Sequence, residues 1–133
     1  MQPTPITISY TDAADDTTPI SKAYEKRLLG PYRSEYQYDE TFASGNYDRF
    51  VLTAKEPVET PSFFGVHRAE SVWRQDVSVE LPSGEFRKYP VSLRLTGSVP
   101  KGTTPVVIQN KIRELVAYVQ SGAFYDQLMK SSV

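Results

Sequence analysis

Three stretches of this chain, Tyr47–Glu56, Ser71–Leu81 and Phe86 to about Thr96, alternate apolar and polar side chains so regularly that each divides into a greasy face and a wet one. Side chains in a strand alternate with period two. One parity therefore collects Phe50, Leu52 and Ala54, then Trp73, Val77, Val79 and Leu81, then Val91, Leu93 and Leu95. Five or six strands at about 4.8 Å spacing make such a slab roughly 25 Å wide, whereas one helix covers about 10–12 Å. A chain with one long helix cannot cover it alone.

The rest of the sequence supports that count. Pro5–Tyr10 alternates and runs into the polar turn Thr11–Pro19, and Ser34–Glu40 carries its tyrosines on one parity. Ala43–Asn46 is a turn, Pro57–Gly65 a long connection with two prolines, and Pro82–Glu85 a tight turn closing the clearest hairpin. Ile20–Leu29 reads equally as a short strand or a helix, stopped by Gly30-Pro31.

A helix begins at Gly102-Thr-Thr-Pro105, with Thr104 placed to accept free N–H bonds as N-cap and Pro105 at N1, and Gly122 ends it. Ile108, Ile112, Leu115 and Val119 recur at helical spacing and draw one apolar stripe down about 24 Å of helix. A short apolar turn with Phe124, Tyr125 and Leu128 follows.

The expected fold class is therefore α+β: an N-terminal hairpin and a main antiparallel sheet of about five strands, then two C-terminal helices, in one domain over residues 1–133 with the sheet in 1–100 and the helices in 104–131. Dimerisation by helix exchange would cover the slab, with Ile108, Ile112, Leu115, Val119, Phe124 and Leu128 as the interface and a twofold interlocked homodimer as the expected symmetry. The competing reading folds the N-terminal hairpin or the Pro57–Gly65 connection over the gap.

The opposite parity is polar: Arg49, Val51, Thr53 and Lys55; Arg74, Asp76, Ser78 and Glu80; Lys88, Pro90, Ser92 and Arg94. It holds five cationic side chains against two acidic ones, in a chain whose 15 basic and 16 acidic residues give a net charge of −1. A locally basic face with interleaved hydroxyls suits a phosphate backbone, and the plain alternative is a solvated sheet face.

Strands through most of about 130 residues, a closing hairpin, a capped amphipathic helix and a short helical tail: in this order the chain resembles the coat proteins of single-stranded RNA bacteriophages (levivirus-like). Arg49–Lys55, Gln75–Leu81, Phe86–Tyr89 and Val91–Leu95 carry the similarity, which runs roughly from Tyr47 to the C-terminus. The resemblance implies interlocked dimers built into an icosahedral shell, with helices outward and single-stranded viral RNA on the inner sheet face, and in several members repression of replicase translation through an RNA hairpin. It puts Arg49, Thr53 and Lys55 on the first RNA-facing strand, Arg74 and Ser78 on the second, and Ser92 and Arg94 on the third; parity adds Lys88. Val51 and Asp76 stand where members place hydroxyls of a base pocket. Matching Phe86-Arg-Lys-Tyr89 to the family's aromatic-Arg-x-Tyr segment makes Tyr89 a base-stacking candidate, whereas parity assigns it to the core. The implied location is the virion, after synthesis in the host bacterial cytoplasm.

Catalytic signals are scarce. There is no cysteine, the single histidine His67 reads as a loop residue, and no phosphate-loop, dinucleotide, zinc-protease or nucleophile-elbow motif occurs. No enzyme, metal or cofactor is expected. The N-terminus lacks a charged and apolar leader, and no apolar run is long enough for a membrane span. A dimeric sheet-plus-helix ligand-binding module is the second reading, and a small isomerase or lyase the third.

Overall fold

A computed structural model describes residues 5–38 and 48–130. Six strands, β1 (Ile6–Thr11), β2 (Pro19–Leu29), β3 (Arg33–Gln37), β4 (Asp48–Lys55), β5 (Val66–Glu80) and β6 (Phe86–Pro100), form one sheet in the order β1-β2-β3-β4-β5-β6. Two helices follow, α1 (Pro105–Gln120) and α2 (Ala123–Lys130). The chain divides into two compact units: Met1–Glu56 with His67–Ser98, which holds most of the sheet, and Pro57–Val66 with Val99–Val133, which holds the helices.

The segment that read as either strand or helix is a strand, and its pairing explains why. Pro19–Tyr24 pairs with β1, and Glu25–Leu29 pairs with β3, with a register shift between Lys26 and Leu28. β2 is thus the seam between hairpin and main sheet, and ladder hydrogen bonds on both sides override its charged, helix-tolerant composition. The turn at Ala43–Asn46 lies outside the described residues.

Two strands are longer than alternation indicated. β5 begins at Val66, not Ser71, because Ala69 and Arg68 pair with Ala54 and Lys55 of β4. His67 therefore sits on a strand and not in a loop. β6 runs to Pro100, through a glycine and a serine that look like turn residues in sequence.

The core of the sheet unit is aromatic. Tyr24, Tyr36 and Phe50 are buried, with Ile6, Ile8, Tyr38, Leu52 and Trp73 packed against them. Cross-strand register places Tyr36 opposite Phe50 and Phe50 opposite Trp73, so their rings stack at 4.9 and 4.1 Å between centroids, and Tyr24 meets Phe50 edge-on at 4.9 Å. Each such ring pair adds about 0.5–1.5 kcal/mol beyond its buried area.

In the helical unit, Pro105 occupies the first helical turn and Thr104 is extended, as a cap should be (φ −61°, ψ 130°). Its hydroxyl makes no capping bond, contrary to the expectation above. The Thr104 carbonyl instead accepts from Val107 and Ile108, and the neighbouring Thr103 hydroxyl donates to Pro100 at 2.7 Å. Gly122 (φ +83°) makes the left-handed step between the helices, and Tyr118 Oη donates to Gln127 Oε1 at 2.8 Å across them.

Candidate functional site

Register decides what lies on the wet face. Arg49 stands directly opposite Arg74, and Lys55 opposite Arg68, while Thr53 is flanked by Arg33 on one side and Glu70 on the other. Like charges directly opposite each other across a ladder are unfavourable, so two such pairs make a surface that gains from anions. Three carboxylates supply part of that need: Glu35 with Arg49 at 3.2 Å, Asp76 with Arg74 at 3.7 Å and Glu70 with Arg94 at 3.8 Å. Exposed or half-exposed pairs of this kind are worth about 0–1 kcal/mol each, so a phosphate can displace the carboxylates at little cost.

The structure thus brings Arg49, Thr53, Lys55 and Arg74 together on adjoining strands and joins Arg94 to them through Glu70. Ser78, Lys88 and Ser92 occupy exposed positions of β5 and β6 with the same strand parity. Sequence reasoning missed Arg33, Arg68, Glu35 and Glu70. Arg68 and Glu70 continue the parity of Arg74, and extending β5 to Val66 would have found them. Gln37, opposite Arg49, is buried, and its side-chain nitrogen meets no acceptor among the described residues.

Tyr89 is 43 % exposed and shares parity with Val91 and Leu93 on an uninterrupted strand. Those two leucine and valine side chains line a groove of about 300 Å³ together with Tyr10, Lys22, Asp48 and Trp73, and Arg49 and Arg74 also border it. Among its lining residues Lys22 Nζ donates to Asp48 Oδ2 at 2.8 Å, and Tyr24 Oη donates to Asp48 Oδ1 at 2.9 Å. Burial opposes the charge of Lys22, but the hydrogen bond and negative charge of Asp48 outweigh it and hold the ammonium above the ordinary lysine range. Burial, followed by donation to Asp48, drives the Tyr24 phenol well above its usual value.

The apolar face is covered unevenly. Ile6 and Ile8 of the hairpin pack on the Tyr24–Phe50 cluster. Val79, Val91, Leu93 and Leu95, on β5 and β6, stay 40–52 % exposed. Neither helix buries a residue: Ile112, Leu115, Val119 and Leu128 are exposed, and Ile108 and Phe124 are half-buried. Among the described residues no group of His, Asp or Glu side chains is arranged to hold a metal, and no helix is long and apolar enough to cross a membrane.

No protein-family model matches the chain, and no curated protein does. Solved structures do. A chain from the virus-like particle of bacteriophage AVE019 superposes with a TM-score of 0.76 at 14 % identity, over 96 % of this chain and 94 % of that one. One from the virus-like particle of Beihai levi-like virus 32 gives 0.73 at 13 % identity, over 84 % and 88 %. The coat protein of bacteriophage EMS014 gives 0.60 at 17 % identity, over 88 % and 73 %. The fold, a six-stranded antiparallel sheet followed by two helices, is the one these chains share with it.

Proposed function

We propose that this chain is the coat protein of a levivirus-like RNA bacteriophage, a structural and non-catalytic subunit that self-assembles into the shell of the virion. The fold supports the coarse reading, because chains of the same architecture form the virus-like particles compared above. The finer reading has three parts: a dimer that exchanges helices, an RNA-contacting face, and an icosahedral shell around the viral genome.

The observation that carries it is the contrast between the two sides of β5 and β6. One side leaves Val79, Val91, Leu93 and Leu95 half-exposed in a chain whose helices also show an unburied apolar stripe, and these surfaces complement one another in a second copy. The other side carries the cross-strand pairs Arg49–Arg74 and Lys55–Arg68, both between β4 and β5, which a polyanion would relieve. RNA contact by Arg49, Thr53, Lys55, Arg74, Ser78, Lys88, Ser92 and Arg94 follows; Tyr89, which has the parity of Val91 and Leu93 on an unbroken strand, belongs to the apolar side and is left out of the RNA-facing set. Repression of replicase translation through an RNA hairpin is the corresponding regulatory role.

Expression of the chain alone, followed by electron microscopy and nucleic-acid extraction, tests this directly. Uniform hollow particles containing host RNA are expected. A stable small dimer free of RNA would overturn the shell reading and favour a ligand-binding module.

A further inference from the structure

The connection between β4 and β5 is long, and it is not loose. Thr60 and Phe63 exchange backbone hydrogen bonds at 2.8 and 3.3 Å around Pro61-Ser62, making a miniature hairpin. Its base is closed at Gly65, whose φ of +92° suits glycine and whose missing Cβ would lie 2.7 Å from the Val58 carbonyl oxygen. Lys101, just beyond β6, braces the base twice: its backbone N–H donates to the Gly65 carbonyl at 3.0 Å and its ammonium meets Glu59 at 3.3 Å. On this braced loop Val58, Phe63 and Phe64 are 68 %, 49 % and 67 % exposed.

An apolar tip on a pre-ordered base loses little conformational freedom when it is covered, so most of its burial energy would appear as affinity. We propose that Val58, Phe63 and Phe64 form a second self-association contact, in which the 57–65 loops of neighbouring dimers meet one another. This rests on the shell reading above. A twofold dimer contact closes on itself at two copies, and a shell needs at least one further contact between dimers.

Two features of the loop favour a second copy as the occupant. The one charged side chain in 57–65 is Glu59, and Lys101 already neutralises it, so identical loops can approach without like-charge repulsion. The turn at the other end of β5, Pro82-Ser-Gly-Glu85, has no large apolar side chain to offer in its place.

The test uses the full chain with Phe63→Ser and Phe64→Ser together, with Phe64→Glu alone as a single-site variant that sets like charges against each other in the contact, and with Phe86→Ser as a control at another exposed phenylalanine. Particle yield is read by electron microscopy, and dimer size and thermal midpoint by sedimentation and circular dichroism. The loop variants should remain dimers with an unchanged midpoint and lose particles by on the order of tenfold; Phe86→Ser should assemble normally. Normal particle yield from both loop variants would overturn the proposal and leave the tip to a foreign partner. So would loss of the dimer in Phe64→Glu, or loss of particles in Phe86→Ser alone. If the unmodified chain stops at dimers, the shell reading falls first and takes this contact with it.

Discussion

Asp48 shows how one side chain reconciles an aromatic core with a charged neighbour. Its carboxylate takes hydrogen bonds from Lys22 and Tyr24 while almost wholly buried, and the Lys22 ammonium also lies 5.3 Å from the Tyr38 ring. Asp48→Ala strands two donors at once and should cost about 2–3 kcal/mol in urea unfolding, measured at fixed protein concentration. Lys22→Met, which leaves the Tyr24–Asp48 bond intact, should cost clearly less. The reverse order would show that the Lys22 ion pair, not the acceptor, holds the site. At the β1–β2 turn, Asp15 is a simpler case. Its carboxylate accepts from the Thr18 hydroxyl, from the Thr18 N–H at 2.9 Å and from the Thr17 N–H at 3.0 Å, which lowers its pKa to about 2. A depressed carboxylate stabilises the turn above the ordinary carboxylate range, and the contribution disappears as pH falls through about 2. A carbon-detected NMR titration should find this midpoint, and Thr18→Val should move it up toward the normal value. An unshifted midpoint in the variant would rule out the threonine as the cause.

At the level of elements, α1 was legible almost residue for residue, because Pro105 and Gly122 mark its ends chemically and its apolar stripe recurs at helical spacing. The strand lengths were less legible. His67, Arg68 and Glu70 are too polar to announce a strand, and they are one because β4 supplies the opposite half of the ladder. The stripe itself yields a discriminating prediction. Ile112 is 55 % exposed in the single chain, so in a working monomer Ile112→Asp would change stability within about 0.5 kcal/mol. If a second copy's sheet covers it, the same change buries a carboxylate in an apolar seam and should abolish the folded dimer. Sedimentation at micromolar concentration separates the two outcomes, and an intact dimer of unchanged stability would contradict helix exchange.

For the whole molecule, the relevant quantity is where charge sits, since its net value is close to zero. Replacing Arg49, Lys55 and Arg94 with alanine should lower packaged RNA and flatten the salt dependence of RNA binding, because fewer counterions are released per contact. Equal RNA content and equal salt slope would remove the inner-face assignment. Parity identified these cations but not their partners: Arg33 and Arg68 add two positive charges to the face and Glu35 and Glu70 two negative ones, and that Glu35 reaches Arg49 and Glu70 reaches Arg94 is set by register, not by spacing. The order of elements, the two-faced character of the strands and the limits of the long helix are local matters of side-chain period, glycine and proline, and the amino-acid sequence determined them unaided. Cross-strand register joins residues far apart in the chain, so only the tertiary structure could decide that Phe50 stacks on Trp73, that Arg49 faces Arg74, and that the 57–65 connection closes on Lys101 to hold three apolar side chains in solvent.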